Sequence, residues 1–414
     1  MAALKASKSK KFSQKQSGTA KPKSRASASK VASKKTSSSP PSLLSLFPDY
    51  RKQAYLAKVA ENRLQLVKEL REAYLHRGLV LYLGAGVSRS IGLPSWPELI
   101  RSLTITMMSR KVTSAIDALE GLSENKRLQA ILAIQEDVIN EADYDKPILM
   151  MARALKDEFG ESLAHRLSVN LYRSLRRRFS FGSKISPKPM KALEIPDSAL
   201  LDSIVALARA ERDVQGVQGI VNYNFDDLVE EKLRAQNVRC QTVLSGRDKV
   251  PAGTLPCYHV HGVLPVQDFV ARFAKRLSRP RRYANISAKG NFVFSEDEYH
   301  AEYSDAYKWS NMTQMSLLGR YTGLFVGLSM EDPNIRRLID VTHRQYPEIS
   351  NYAILPRKKS LAKSKDTKQG VLRNLFENVE TGSFGKIGVK VLWVDGFSEI
   401  PVVLRKICDV DATV

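Results

Sequence analysis

A doubly wound α/β fold is the architecture this sequence predicts, and three observations predict it. Short, wholly apolar, β-prone runs recur along the chain, helical patterns separate several of them, and most end in glycine or polar residues. Strands buried on both faces of a parallel sheet read as continuous apolar runs, and strands alternating with helices build such a sheet. With 414 residues, 43% of them hydrophobic, the chain can bury a large core. That excludes a wholly disordered protein, a collagen-like repeat and a disulfide mini-scaffold.

Residues 1–45 are a Lys/Ser-rich tail. Eleven Lys or Arg and no acid fall within residues 1–41, half of the net charge of +22. Such a segment has too little apolar surface to offset the entropy of ordering, so disorder is expected. It reads equally as an electrostatic arm for nucleic acid or as a solubilising tail. Apart from Phe12, aromatic residues that could stack bases are missing before Phe47.

Residues 46–96 hold a leading helix and the first strand. Leu56, Val59, Val67, Leu70 and Tyr74 recur at helical spacing between Asp49 and His76, after which Leu79–Leu83 is wholly apolar. Residues 97–210 read as a large helical insertion, with runs at Asn125–Ala142 and Pro147–Arg178. The Rossmann-like core continues over 211–264, with strands at Gly219–Tyr223 and Cys257–Val260 and a helix at Asp226–Gln236. Residues 265–320 form a second, basic insertion. Residues 321–414 complete the core with strands at Gly323–Gly327, Tyr352–Leu355 and Val389–Trp393, a helix at Asn334–Gln345, and a C-terminal segment. Basic clusters at Arg173, Arg176, Arg177 and Arg178, and at Arg279, Arg281 and Arg282 beside Tyr283, read as solvated faces or as nucleic-acid contacts.

Three cysteines, Cys240, Cys257 and Cys408, with no Cys-x-x-Cys spacing, suggest a reducing compartment and cannot supply a four-thiolate zinc site. The longest apolar run, Gly78–Val87, falls well short of the ~20 residues that span a membrane. No apolar segment follows the N-terminal charges as in a secretory signal. A cytoplasmic protein without a membrane partner is the expectation.

In such a sheet ligands bind at the carboxyl ends of strands, where strand order reverses, and four strand ends carry candidate chemistry. Gly84-Ala85-Gly86-Val87-Ser88 could bring backbone close to a pyrophosphate at a helix start, or be a tight structural turn. Its third dinucleotide glycine is replaced by Arg89, and Ser88 offers an N-cap or a phosphate contact. In Asn222-Tyr223-Asn224-Phe225-Asp226-Asp227, one of the two aspartates is expected to cap the next helix, while Asn224 can orient a water or a ribose hydroxyl. In His259-Val260-His261-Gly262 the histidines would share a strand face, yet ligand partners at suitable spacing are lacking and no metal is expected. His261 suits a general base; His259 reads as a core histidine satisfied by backbone. In Gly327-Leu328-Ser329-Met330-Glu331-Asp332-Pro333, Gly327 and Ser329 could touch a nucleotide and Asp332 reads as a helix cap.

In this order and at these spacings the four motifs resemble the sirtuin superfamily, and within it the sirtuin-like, zinc-less branch found in bacterial antiviral NAD-hydrolysing proteins. Gly84–Ser88 matches the Gly-Ala-Gly-x-Ser NAD loop. Gly92-Leu93-Pro94-Ser95-Trp96 stands where deacetylases have Gly-Ile-Pro-Asp-Phe-Arg. Tyr223-Asn224-Phe225-Asp226 matches Gln-Asn-Ile-Asp, His261-Gly262 the catalytic His-Gly, and Gly327 and Ser329 the Gly-Thr-Ser contact. The four-Cys zinc module of deacetylases has no counterpart, since residues 263–322 contain no Cys.

The resemblance implies an NAD glycohydrolase that releases nicotinamide and ADP-ribose and serves as a regulated effector of antiviral defence. It implies catalytic roles for Asn224, His261 and Asp226, and NAD contacts from Gly84, Ala85, Gly86, Val87, Ser88, Gly327 and Ser329. NAD is then substrate, a homo-oligomer and a defence-system protein partner are expected, and the tail could add nucleic acid. Two other readings stay open: a protein ADP-ribosyltransferase or deacylase using the same pocket, and a non-catalytic module that binds NAD, ADP-ribose or nucleic acid.

Overall fold

The computed structural model describes residues 53–117, 121, 123–130, 148–175, 195–209, 214–275, 287–357 and 367–408. The expected tail, the arginines at 176–178 and the cluster at 279–283 lie outside them.

Helix α1 (Gln53–His76) leads into β1 (Leu79–Leu83), followed by the short α2 (Ala85–Arg89) and by α3 (Trp96–Asp117), α4 (Ile148–Phe159), α5 (Leu163–Leu171) and α6 (Ala199–Ala208). The sheet resumes with β2 (Val217–Asn222), then α7 (Leu228–Ala235), β3 (Cys240–Val243) and β4 (Leu255–His259). After α8 (Val266–Lys275), α9 (Glu296–Ser304) and α10 (Trp309–Leu318) come β5 (Thr322–Val326), α11 (Pro333–Gln345) and β6 (Asn351–Pro356). Helix α12 (Thr367–Gly385), β7 (Val389–Val394) and α13 (Ile400–Cys408) close the order. The seven strands lie in the order β3-β4-β2-β1-β5-β6-β7, and every pairing is parallel.

The chain leaves central β1 on one side, through β2, and returns on the other through β5. That reversal puts the ends of β1, β2, β4 and β5 along one edge. β1 shows why the core forms here. All five of its residues are buried, and successive side chains enter opposite layers. Leu79, Leu81 and Leu83 pack with residues of α6 and α13, while Val80 and Tyr82 join Leu338 and Ile339 of α11. Each fully buried Leu is worth about 2 kcal/mol over its exposed state. Among the described residues no helix is long and apolar enough to cross a membrane.

The structure corrects two readings of the sequence. Strand β3 was not expected: Cys240-Gln241-Thr242-Val243 is an edge strand, half-buried at its first three residues, and carries no apolar run. The helical run Pro147–Arg178 is broken, because Gly160 takes φ +48° and a 3₁₀ turn separates α4 from α5. Of Asn125–Ala142, residues 125–130 are helical and the rest lie outside the described residues.

The loops after β1 and β5 meet backbone to backbone. Gly84 N donates to Val326 O (3.0 Å) and Gly86 N to Gly327 O (2.9 Å). A Cβ on Gly86 would lie 2.7 Å from Gly327 Cα, and one on Gly327 would lie 2.8 Å from Val87 N. The glycines are therefore required by the seam itself, whatever else they touch.

Gly327 also has φ +70°, so its replacement combines backbone strain with a clash. Gly92 separates the two effects, having φ +87° with nothing within 4 Å of an added Cβ. Gly92→Ala is expected to cost about 1 kcal/mol of unfolding free energy, and Gly327→Ala at least about 1 kcal/mol more. Equal shifts of the urea midpoint in the two variants would contradict the seam.

Candidate active site

Strand β2 ends in a turn that its own last residue closes. Asn222 Oδ1 accepts from Asn224 N (3.0 Å) and Asn222 Nδ2 donates to Asp226 O (3.4 Å), an Asx-type arrangement. Asn224 Nδ2 donates to Gly84 O (3.0 Å), tying the turn to the β1 loop. Ser88 Oγ donates to Asp226 Oδ2 (2.6 Å). The hydroxyl thus serves Asp226 rather than capping α2, whose N-cap position is Gly84.

Of the two aspartates expected to cap the helix, Asp227 occupies the N-cap position of α7 without a side-chain bond to it. Asp226 Oδ1 accepts from Leu228 N (3.3 Å) instead. Asp227 Oδ1 accepts from Val266 N (2.8 Å) at the start of α8. Burial pushes the Asp226 carboxyl above its ordinary value, against the Ser88 and Leu228 hydrogen bonds.

The two histidines do not share a face. β4 ends at His259, and Gly262 at φ +81° turns the chain, so strand alternation does not reach His261. His259 is fully buried and pairs through Nε2 with Glu230 Oε1 (2.5 Å). Its other nitrogen, Nδ1, donates to Asn224 O (3.3 Å). It is therefore not a histidine satisfied by backbone alone, since a buried carboxylate is its main partner.

His261 is half-buried and meets the Tyr223 ring edge-on, with centroids 5.2 Å apart. Burial pushes its imidazole below the ordinary histidine value, partly opposed by the charges of Asp332 and Glu302. Among the described residues no group of three or more His, Cys, Asp or Glu is placed to hold a metal ion.

Asn224, Asp226, His261, Ser88 and Ala85 line one cavity of about 510 Å³. Aromatic rings wall it. Trp96 lies 5.1 Å from Phe294, edge-on, and 5.6 Å from Phe225. Tyr299 donates its phenol to Asp332 Oδ1, which also accepts from Asn334 N (2.7 Å) and so caps α11 as expected. The carboxylates facing this cavity are Asp226, Glu331 and Asp332.

A second cavity of about 1050 Å³ adjoins it and shares Ala85, Trp96, Ile148 and Glu331. Gly86, Gly327 and Ser329 line this outer space together with Arg89, Arg336 and Arg337. Gly84 and Val87 are buried in the seam and line neither cavity. Gly84, Gly86 and Val87 spend their amides on Val326 O, Gly327 O and Gly84 O. An anion at this loop would therefore be met by Ala85 N–H rather than by the loop as a whole.

Glu230, Phe294, Tyr299 and the second role of Asp332 were not found from sequence. Phe294, Ser295 and Tyr299 come from the stretch read as a basic insertion. It docks on the β4 turn through Val293 N to His261 O (3.1 Å) and a bridge between Val263 and Lys289. One signal was available: Ser295 and Glu298 form a capping box at the start of α9, the helix that carries Tyr299.

Residues 218–379 match the SIR2-like domain family. The match takes in Asn224, Asp226, His261, Gly327 and Ser329. It does not reach the Gly84–Ser88 loop, although Asn224 and Asp226 bond directly to that loop. A SIR2-like domain implies an enzyme that uses NAD. No curated protein matches the chain.

The buried acids make a pH prediction. Burial first, then the charge of Glu230, pushes the Asp227 carboxyl up to about 7, against its bond from Val266 N. An unfolded aspartate titrates near 4. Because the folded value is the higher one, the stability tied to this group is present below pH ~4 and is lost as pH rises through ~7. Asn at this position keeps the acceptor for Val266 N without the charge. The melting temperature of Asp227→Asn relative to wild type is expected to rise steadily from pH 5 to pH 8. A difference that stays flat or shrinks over that range would refute the assignment.

Proposed function

We propose that this chain is a SIR2-like NAD glycohydrolase that cleaves NAD to nicotinamide and ADP-ribose. The observation that carries the reading is the charge polarity of the two joined cavities. Among the described residues the inner cavity is lined by Asp226, Glu331 and Asp332 and by no Lys or Arg. The outer one carries three arginines, Arg89, Arg336 and Arg337, with Glu331, Asp340 and Glu380. NAD has a cationic pyridinium ring at one end and an anionic pyrophosphate in the middle. An acidic, aromatic inner chamber suits the first, and an arginine-bearing outer chamber behind the Ala85 amide suits the second.

In this reading the bond between ribose C1′ and the pyridinium nitrogen breaks, and its electron pair leaves with nicotinamide. Positive charge building on the sugar is favoured by the fixed carboxylates of Asp226 and Asp332. Asn224 spends Nδ2 on Gly84 O, which leaves Oδ1 to accept from a water or a ribose hydroxyl. His261, kept neutral by burial, takes the proton as water adds to C1′. Gly327 and Ser329 contribute the outer wall, while Gly84, Gly86 and Val87 hold the seam that sets Ala85 and Ser88 in place. A role as a regulated effector of antiviral defence, acting as a homo-oligomer, belongs to the same proposal and rests on the motif resemblance.

Chromatography of nicotinamide and ADP-ribose after incubation with NAD alone tests it. Equimolar products are expected, with turnover lowered roughly 100-fold or more in Asn224→Ala and in His261→Ala, both folded by circular dichroism. The acid limb of turnover is expected below the ordinary histidine value of about 6.5, because His261 must be neutral to act. Nicotinamide release that appears only with a protein acceptor would favour the transferase reading. Wild-type rates in both variants would refute the site.

A further inference from the structure

We infer that Glu230, a buried carboxylate outside both cavities, is a positioning residue that acts through His259 to hold Asn224. The inference rests on the NAD-cleaving reading and adds a residue to it. Glu230 lies on α7 and is 1% exposed, between the buried Leu228, Val229 and Leu233. Burying a carboxylate and an imidazole costs several kcal/mol per ion, and an apolar residue of similar volume would meet the packing need alone. The pair is instead continuous with the candidate site, from Glu230 Oε1 to His259 Nε2 and from Nδ1 to Asn224 O. Asn224 is then fixed at three atoms: its N by Asn222, its Nδ2 by Gly84 O, and its O by His259.

The chemistry of the imidazole makes the third contact conditional. A carbonyl can only accept, so Nδ1 must carry a proton. A neutral ring has one N–H, and an ionised Glu230 would draw it to Nε2. The bond to Asn224 therefore requires one further proton on the pair. It sits either on the ring, both nitrogens donating, or on Glu230, which then donates to Nε2. In both forms Nδ1–H is kept.

The groups facing the ring are Glu230 from α7 and Asp226 and Asp227 from the turn. Behind Glu230 lie the Tyr172 phenol and the Cys240 and Cys257 thiols. Burial opposes the imidazolium, and the three carboxylates outweigh it, so the His259 value moves up. Glu230 Oε2 is buried without a hydrogen-bond partner among the described residues, which leaves Oε1 and its His259 bond as the carboxylate's side-chain contact.

Two variants of the full chain test this. Glu230→Leu removes the anchor at Nε2, so the ring is no longer held against Asn224 O. It is expected to lower kcat for nicotinamide release about tenfold, with KM for NAD changed by no more than about twofold. In Glu230→Gln the amide N–H donates to Nε2 of a neutral ring, so Nδ1–H survives with no extra proton to lose. Wild-type kcat is expected to fall at alkaline pH as the pair loses its extra proton, whereas Glu230→Gln is expected to keep kcat at pH 7 and to lack that alkaline fall. A residue that merely stabilised the fold would move the melting temperature and leave the pH profile of kcat unchanged.

A far-downfield proton resonance from the Glu230–His259 hydrogen bond provides a readout independent of turnover. It is expected in wild type, and absent in Glu230→Leu and in His259→Gln. Wild-type kcat in Glu230→Leu, an unaltered alkaline limb in Glu230→Gln, or persistence of the resonance in Glu230→Leu would each overturn the inference. Should Glu230→Leu fail to fold, the alkaline limb of Glu230→Gln decides alone. Should wild type release no nicotinamide, the NAD reading fails, and the resonance still decides whether Glu230 holds His259.

Discussion

Two loops that meet with no side chain between them set the geometry of everything described above. β1 and β5 are adjacent and parallel, so their ends reach the sheet edge at the same height. Gly84 and Gly86 on one loop and Gly327 on the other let the backbones touch and exchange two hydrogen bonds. That contact puts Gly84 O within reach of Asn224 and Ser88 within reach of Asp226. It also places Ala85 at the border of the two cavities. A Cβ at any of the three glycines would push the loops apart and carry these bonds with them. The demand for glycine is thus met inside the protein, before any ligand is considered.

On that frame the turn after β2 carries an unusual load of buried charge. Asp226, Asp227 and Glu230 lie within five residues, and none is more than 7% exposed. Each is compensated differently: Asp226 by a hydroxyl and an amide, Asp227 by the Val266 amide, and Glu230 by His259. Burial first, and then the charge of Glu230, pushes Asp227 up, and burial likewise pushes Asp226 up against its two hydrogen bonds. Glu302, buried on α9, is balanced by Lys308 at 2.6 Å and by hydrogen bonds from Ser310 and Asn291. The charge serves position, because the same groups fix the turn residues that face the inner chamber.

How much of this could be read from the sequence follows from which forces are local. β1, β5 and β6 were legible because strands buried on both faces are apolar along nearly their whole length, and β2, β4 and β7 because each still carries a short apolar run. β3 was not, since an edge strand half-exposed to water carries no such run. Asn224, Asp226 and His261 were legible as polar residues at strand ends, and the structure brings all three to one cavity. The Glu230–His259 pair was hidden because a glutamate in an amphipathic helix reads as a solvated position, and its partner lies 29 residues away. The glycines of the first loop were read as letting backbone approach a pyrophosphate, or as a tight turn. What approaches them is another loop of the chain, and a contact between residues some 240 positions apart leaves no local trace. Tyr299 was missed for the same reason, since its partner Asp332 looked complete as a helix cap.

The inner cavity is built from parts held with very different firmness. Its floor is fixed by strand ends, by glycines that cannot be replaced, and by hydrogen bonds from residues with almost no solvent exposure. One wall is formed by Ile148 and Leu149 at the start of α4 and by Phe294 and Ser295 before α9. These two helices are joined by Lys156, which pairs with Asp297 at 2.8 Å and Glu298 at 2.5 Å, all three side chains being a quarter to a half exposed. Exposed ion pairs contribute about 0–1 kcal/mol each, far less than the buried bonds of the floor. Ala152, Leu155 and Phe159 pack α4 onto the core, whereas Ile148 and Met150 at its start stay exposed. A molecule entering this chamber therefore meets Asn224 and Asp226 already set by buried bonds, beside a wall held partly by exposed ion pairs. The firm floor and the more exposed wall thus come from separate stretches of chain: the strand ends on one side, and α4 with the segment before α9 on the other.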